Sequence, residues 1–504
     1  MSESPTPSSS KAKEQDASNG LGRGLFADTN IKVGENVLHF ETPFVAVLET
    51  VRLEDTCSGC FGKKQLATEN ELPTSLKACT GCQVVKYCDK TCQANDWRFA
   101  HSLECAIYRN LKPRVLPINA RAILRMVLRI GAEKYTERDR GLFNMLGTHI
   151  QEIQSGNPAQ WERITLTAKA VKEYSSTEIE EDMIIALGAK LDVNAFNLTN
   201  AVYDRIGLYL HPFAAIMNHN CNYNCVVGFD GPEIYAKAIR PIVSGEQIFI
   251  SYIDVTNPLH IRTKELRERY FFECSCEKCS SESTATEHNN DTEEAKAVAK
   301  EAHALLSSNP VGGVHDNWKL STTIQELITH SWPKTRQPFP SILDEMISAD
   351  ISTGEPGWGF LNASLRYLHI DKVVYPSDAH PLRAVHAWTL AKMAILLSQT
   401  DPGFTLPGFI AGRGAIGVLT AEAVKVDYGL IAWSVLVGLV AKKEDSCIVP
   451  GFKKKIERAF LEVHWEFMRN GLDPRGMGVE IGREWMKIRQ VLKGYLKEIF
   501  GEKD

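Results

Sequence analysis

Cys57-x2-Cys60, Cys79-x2-Cys82, Cys88-x3-Cys92 and His101-x3-Cys105 put eight soft or borderline metal ligands into one short window. Each pair has the spacing that lets two side chains reach one tetrahedral Zn²⁺. Eight ligands make two closed four-ligand sites and leave no position for a substrate, so this metal is structural. Disulfides would need an oxidising compartment. Met1 to Ala17 is rich in Ser, Pro, Lys and Glu and carries no apolar stretch of the kind a secretory signal needs.

Four further segments have residue types suited to chemistry. Gly22-Arg23-Gly24-Leu25-Phe26-Ala27 lies before the window, and its glycines let backbone approach a ligand closely. The same tripeptide recurs at Gly412-Arg413-Gly414, where it reads as a plain turn. Asn218-His219-Asn220-Cys221, followed by Asn224, is the second segment. The third is Gly245 to Tyr252, in which Gly245 marks a turn and alternation puts Ile248, Ile250 and Tyr252 on one strand face. The fourth is Tyr270-Phe271-Phe272-Glu273-Cys274-Ser275-Cys276-Glu277-Lys278-Cys279. Its three thiolates need a fourth ligand to close a zinc site. Cys221 is the natural donor, because it would tie the second segment to the fourth. Three structural zinc ions are therefore expected. Cys225 and Cys447 read as inert buried thiols, and His211, His260 and His380 as structural or surface histidines.

The elements that must position these groups can be sketched from pattern. At 504 residues the chain exceeds one core. Residues 1–19 read as a disordered tail. Residues 21–50 alternate apolar and polar around turns such as Lys32-Val33-Gly34-Glu35, as short strands do. Residues 118–190 have helical periodicity, for example Ile123, Leu124, Val127 and Leu128. Residues 194–253 return to strands and loops, and 280–292 read as a Ser/Thr/Asn/acid linker. Helices dominate 293–504. One of them starts at Pro381 with Leu382, Val385, Trp388 and Ile395 near one face. The apolar run Tyr428 to Ala441 is too short to span a bilayer and reads as a buried helix. Net charge is −5, which gives no global attraction to nucleic acid or to anionic membrane. From Cys57 to Cys105, six Lys/Arg stand against five Asp/Glu, so the zinc-binding window is not a phosphate reader.

The string Tyr87-Cys88-Asp89-Lys90-Thr91-Cys92-Gln93, then Trp97, His101 and Cys105, resembles the MYND zinc finger. That resemblance implies cross-bracing, with Cys57, Cys60, Cys88 and Cys92 on one ion and Cys79, Cys82, His101 and Cys105 on the other. It also implies a module that binds short proline-containing peptides. With the four flanking segments in this order, residues 20–280 resemble the SET-and-MYND (SMYD) lysine methyltransferases. The implied fold is α+β: a SET β-fold core interrupted by the finger and a helical insert, a Cys-rich post-SET zinc site, and a C-terminal all-α, TPR-like domain. The implied boundaries are 20–56 for the SET N-terminal part, 57–105 for the finger, 106–193 for the insert, 194–255 for the SET core, 256–279 for post-SET, 280–292 for the linker and 293–504 for the helical domain.

The resemblance also implies S-adenosylmethionine as cofactor. Gly22, Arg23 and Gly24 would line it through backbone, Asn194 would touch it, and Asn218 and His219 would hold its amino-acid end and adenine. Tyr252 would be the catalytic tyrosine. Phe196, Tyr270 and Phe272 would line a lysine channel, with Tyr252 and Phe272 also against the cofactor. The partners implied are a protein substrate bearing the target lysine, histone or not, and a proline-containing peptide at the finger. A monomer of nucleus and cytoplasm is expected, without membrane or direct nucleic-acid binding. The family usually has Ser where this chain has Asn220, and Pro where it has Tyr223. Those departures bear on rate and substrate and keep open a rival class, a non-catalytic interaction scaffold or transcriptional co-regulator. The retained Tyr252 argues for the enzyme.

Overall fold

Three of the four chemistry-bearing segments are far apart in sequence and share one sheet. The computed structural model describes residues 9–17, 22–67, 75–284, 292–308, 315–400, 405–406 and 424–500. The chain divides into two compact units. The first comprises residues 1–253, 263–277 and 447–454, and the second 254–262, 278–446 and 455–504.

The strands of the first unit are β1 Ser9–Ser10, β2 Ala12–Asp16, β3 Arg23–Ala27, β4 Asn36–Phe40, β5 Val45–Leu48, β6 Lys77–Ala78, β7 Lys86–Tyr87, β8 Phe196–Thr199, β9 Arg205–Leu210, β10 Asn218–His219, β11 Cys225–Asp230, β12 Glu233–Ala238 and β13 Gln247–Ile250. One sheet runs β10-β13-β3-β2. β10 lies parallel to β13, pairing His219 with Ile250, and β13 lies antiparallel to β3, pairing Ile248 with Leu25. The Gly-Arg-Gly, Asn-His and Tyr252 segments thus converge by backbone pairing. Other sheets run β1-β4-β12-β11 and β5-β9-β8, and β6 pairs with β7 inside the cysteine-rich window of residues 57–105. Inward residues such as Leu25, Val37, Leu38, Ile234 and Ile248 are fully buried, and removing that apolar surface from water drives the assembly. The expected face of β13 differs in one respect. Ile248 and Ile250 are buried, but the strand ends at Ile250 and Tyr252 stands in the bend beyond it.

The expected tail over 1–19 needs correction where it is described. Ser9–Asp16 forms β1 and β2, with Ala12 opposite Ala27 and Ser10 opposite Leu38. The sequence there is polar because these are edge strands, held by ladder hydrogen bonds more than by burial. Residues 1–8 and 18–21 lie outside the described residues.

Helices α1 Lys63–Ala67, α2 Lys90–Asp96 and α3 Ser102–Leu111 belong to or follow the cysteine-rich window of residues 57–105. Then come α4 Ile118–Gly131, α5 Glu137–Asn144, α6 Ile150–Gly156, α7 Pro158–Ser175 and α8 Glu181–Asn194, of which α4, α7 and α8 pack together. α9 Leu259–Tyr270 and α10 Glu277–Thr284 follow the strands. The expected linker over 280–292 is therefore helical as far as Thr284, where Ser283 and Thr284 hydroxyls bond back to the Ser280 carbonyl. Residues 285–291 lie outside the described residues.

The second unit is largely helical: α11 Glu293–Ser307, α12 Asn317–Thr329, α13 Phe339–Ser352, α14 Pro356–Leu365, α15 Asp371–Val374, α16 Pro381–Thr400, α17 Tyr428–Ala441, α18 Pro450–Arg469 and α19 Gly478–Phe500. α16 begins where expected but buries a different face. Ala387, Leu390, Ala391, Ala394 and Leu397 are buried, and of the expected four only Trp388 is. α16 packs on α17, and small alanines let two helices approach closely. Gly412-Arg413-Gly414 lies outside the described residues. Cys447–Lys454 groups with the first unit, where Gly451 N–H donates to Asp230 (3.0 Å) and Phe452 meets Tyr203 edge to face. Among the described residues, no helix is long and apolar enough to cross a membrane.

Candidate active site and metal centres

The ends of β3, β10 and β13 open onto a cleft of about 660 Å³, a size that accommodates a cofactor-sized molecule. Gly22, Arg23, Asn194, Phe196, Asn218, His219, Tyr252, Tyr270 and Phe272 all line it. Gly24 does not. A Cβ there would lie 2.4 Å from the Gln247 side-chain nitrogen and 3.1 Å from that of Asn218, so the glycine leaves room for its neighbours. Gly22 has φ of +68° with open space around it, the left-handed backbone that glycine adopts without strain. Asn218 Nδ2 donates to Arg23 O (2.9 Å) and so joins two of the expected segments directly.

Tyr252 is fixed at three points. Its hydroxyl donates to Met217 O (2.7 Å), its N–H donates to His219 Nδ1 (3.1 Å), and its carbonyl accepts from the Tyr270 hydroxyl (3.1 Å). Burial, with Tyr270 beside it, pushes the Tyr252 pKa upward. Tyr252 is therefore a neutral phenol that can accept a hydrogen bond from an amine but cannot serve as a base. The Tyr270 ring sits 5.0 Å from that of Tyr252, and the Phe272 ring stands perpendicular at 6.4 Å. Both ring nitrogens of His219 meet protein atoms, Nε2 lying 3.4 Å from Cys221 Sγ.

Sequence reasoning did not find the opposite wall, Leu142, Met145, Leu146, Gly147 and His149. Two side chains of α8 hold it. Lys190 Nζ donates to Phe143 O (3.0 Å) and Asn144 O (2.7 Å), and Asn194 Nδ2 donates to Gly147 O (3.1 Å). Burial lowers the Lys190 pKa. Asn224 was noticed without a role. It is fully buried and satisfied on β13, donating to Gln247 O and accepting from Phe249 N–H. Asn220 accepts from Asn222 N–H (2.7 Å), a local turn bond.

Three clusters could hold metal: Cys57/Cys60/Cys88/Cys92, Cys79/Cys82/His101/Cys105 and Cys221/Cys274/Cys276/Cys279, each with its ligand atoms within 4.8 Å of one another. The first two are the sets that the resemblance implies. Cys60–Cys88 and Cys79–Cys105 sulfurs lie 3.9 and 3.8 Å apart, against the ~3.8 Å of two thiolates on a tetrahedral zinc. His101 Nε2 lies 3.4 Å from Cys79 Sγ and 3.6 Å from Cys82 Sγ. None of the thirteen cysteines is in a disulfide, and the donor sets fit Zn²⁺. Glu104 and Arg125 form a bidentate, fully buried pair (2.6 and 2.9 Å) between α3 and α4. Burial alone would raise the Glu104 carboxyl, but the guanidinium outweighs it and holds the pKa down at about 2. Cys225 and Cys447 are buried, and burial pushes the Cys447 thiol up to about 11. His211 stacks on Phe40 and His380 on Tyr375, each held neutral by burial, and His260 is exposed.

The SET domain family matches residues 22–253. The matched stretch, under half of this chain, is similar to SET domains. The chain is similar, further, to SMYD-family methyltransferases. It is 28% identical over 324 residues to the SET domain and MYND-type zinc finger protein 6 of Schizosaccharomyces pombe, covering 64% of this chain and 60% of that one. To the histone-lysine N-methyltransferase SMYD3 of Homo sapiens it is 26% identical, over 74% of this chain and 86% of that protein. The N-lysine methyltransferase SMYD2 of Gallus gallus is 30% identical over 53% of this chain and 59% of its own length.

Proposed function

We propose that this chain transfers the methyl group of S-adenosylmethionine to a lysine ε-amine of a protein, histone or non-histone. The convergence of Tyr252, Tyr270 and Phe272 with Arg23, Asn194 and Asn218 in one cleft carries this reading. The cofactor supplies an electrophilic methyl on a sulfonium. Everything else falls to the chain. Gly22 to Arg23 present backbone at the cleft edge, and Asn194 and Asn218 offer amides whose positions are fixed by hydrogen bonds. A free lysine has a pKa near ~10.4 and arrives protonated. Loss of water in a channel between Tyr252, Tyr270 and Phe272 disfavours the ammonium, a strongly hydrated ion with N–H donors to satisfy, and helps it lose its proton to solvent. The ring faces favour the sulfonium, a cation with no N–H to hydrate. The Tyr252 oxygen, already donating to Met217 O, keeps lone pairs to accept from the amine and aim it. Positioning is the main contribution, since in-line transfer needs little acid–base work at carbon.

The three thiolate-rich clusters would each hold a structural zinc, with Cys221, Cys274, Cys276 and Cys279 building the wall behind the site. The zinc-binding window is read as a MYND finger that docks a proline-containing peptide, the second unit as a TPR-like domain, and the protein as a monomer of nucleus and cytoplasm. Incubation with labelled S-adenosylmethionine and a cell extract, followed by identification of labelled proteins, tests the activity. Tight cofactor binding with no labelled protein across a broad extract would reverse it in favour of a scaffold.

A further inference from the structure

His219 makes two contacts whose donors and acceptors are determined. The Tyr252 main-chain N–H can only donate, so His219 Nδ1 accepts at 3.1 Å. A neutral imidazole that accepts at Nδ1 carries its proton on Nε2. That Nε2–H points at Cys221 Sγ, 3.4 Å away. His219 and Cys221 are 5% and 3% exposed, so water does not compete for either bond. Cys221 is also the thiol that joins the thiolates of Cys274 and Cys276. One buried ring therefore stands between a candidate metal ligand and the backbone of the tyrosine that faces the cleft.

We infer that His219 is a positioning residue that couples occupancy of the Cys221 metal centre to the placement of Tyr252. A metal-bound thiolate accepts N–H hydrogen bonds strongly, because it carries negative charge. A free thiol is a weak acceptor. Metal at Cys221 thus fixes the imidazole plane through Nε2, and Nδ1 fixes Tyr252 N–H. The hydroxyl follows, because Tyr252 OH is bonded to Met217 O, two residues before His219. Partners of this kind orient metal ligands and tune the centre. Here the same bond also reports the centre to the reacting end of the cleft. The inference rests on the methyltransferase reading for its kinetic arm only.

Two amide variants divide the bonds. In His219→Gln the amide nitrogen reaches the Nε2 position, keeping a donor to sulfur and losing the acceptor for Tyr252. In His219→Asn the amide oxygen reaches the Nδ1 position, keeping that acceptor and losing the donor. The full chain is loaded with zinc or with cadmium-113 and labelled with nitrogen-15 on histidine and tyrosine. The wild type should show a cadmium–proton correlation from the His219 N–H, and a Tyr252 amide resonance that differs between the zinc and cadmium forms. His219→Asn should lose the correlation. In both variants the Tyr252 resonance should lose its dependence on the metal. Turnover should fall about tenfold to a hundredfold in each, with cofactor KM changing less than kcat. A wild type without the correlation, or variants whose Tyr252 resonance still follows the metal, would overturn the coupling. The wild-type comparison needs no variant to fold and no substrate. A spectroscopic failure in an active enzyme therefore counts against His219 alone, and absent transfer with an intact correlation counts against the methyltransferase reading alone.

Discussion

The two candidate metal clusters within residues 57–105 and the one at Cys221 use similar thiolate-rich ligand sets in opposite ways. The first two draw every ligand from residues 57–105 and close on themselves. One buried tie to the rest of the first unit is the Glu104–Arg125 pair, beside the contacts of Lys63 with Glu233 and of Arg129 with Phe99 O. Gly59 and Gly81 sit so close to the ligands that a Cβ would lie 2.3 Å from Cys92 O and 2.8 Å from Cys105 Sγ. The third centre takes Cys221 from beside β10 and the others from 274–279, and His219 joins it to Tyr252. A centre built from one short stretch stabilises a module. A centre built from two distant stretches stabilises a site.

Metal removal separates the two most strongly. Ligand binding and folding are coupled in closed sites, so Cys274→Ser should abolish methyl transfer although no metal touches substrate. Cys79→Ser should lose peptide binding before cofactor binding. Calorimetry of S-adenosylmethionine with both variants, beside metal analysis giving three ions for the wild type, makes the comparison. Equal collapse of cofactor binding in both would mean that the window is integral to the SET fold.

Breaking the tie comes next in size. Glu104→Gln removes the bidentate partner of the buried Arg125 guanidinium and leaves only Asp96, 3.8 Å away, as a carboxylate beside it, at a cost of about 3 kcal/mol, the low end for breaking a buried pair. Chemical denaturation should show an early transition confined to the zinc-binding window, followed by tryptophan fluorescence. An unchanged midpoint would mean that the two thiolate-rich centres hold that window without it.

Most of the residues that the fold gathers at the cleft and the thiolate clusters were legible in the sequence, because thiolates, an Asn-His pair and a tyrosine stand out by type and spacing. Cys57 to Cys105 could be grouped from spacing and resemblance alone, and Cys221 from ligand count. The cleft wall at 142–149 was not legible. Lys190 reads as a solvated charge in any helical pattern, and its role depends on carbonyls 46 and 47 residues away. Arg121 and Arg125 are hidden for the same reason, since both are buried and donate to the carbonyls of Leu48 and Ala46. Ser9–Asp16 escaped because an edge strand needs a neighbour and no apolar pattern. The face of α16 was missed because alanines at Ala387, Ala391 and Ala394 carry less hydrophobic signal than Val385 or Ile395, yet fit a close helix neighbour better.

Tyr252→Phe tests the site side of the comparison without touching a metal. It removes one hydroxyl and keeps the ring, so the contacts with Tyr270 and Phe272 survive. Turnover should fall by about a hundredfold, on the scale of one lost preorganised hydrogen-bond partner, with cofactor affinity little changed. Asn218→Ala should do the reverse, since it releases Arg23 O and weakens cofactor binding first. Undiminished transfer by Tyr252→Phe would remove the catalytic assignment. For the wild type, the rate should rise with pH between ~7 and ~9, because the attacking amine must be neutral.

Lys190→Met gives the smallest effect and asks whether a metal-free wall is held as firmly as a metal-backed one. Methionine keeps the apolar stem of the side chain, lacks its terminal atom, and so loses the donors to Phe143 O and Asn144 O. Hydrogen bonds from a charged donor contribute about 1.5–3 kcal/mol. Part of that is offset here, because burial already disfavours the ammonium, as its lowered pKa shows. The net loss of stability should therefore be about 1–2 kcal/mol. The loosened segment carries Met145, Leu146 and Gly147, which line the cleft, whereas Tyr252 keeps its three bonds. Cofactor KM should accordingly rise several-fold while kcat holds, and a chelator should release metal from the variant no faster than from the wild type. A fall in kcat with KM unchanged would mean that the wall at 142–149 acts on Tyr252, and the contrast between a wall that binds and a centre that aims would fail.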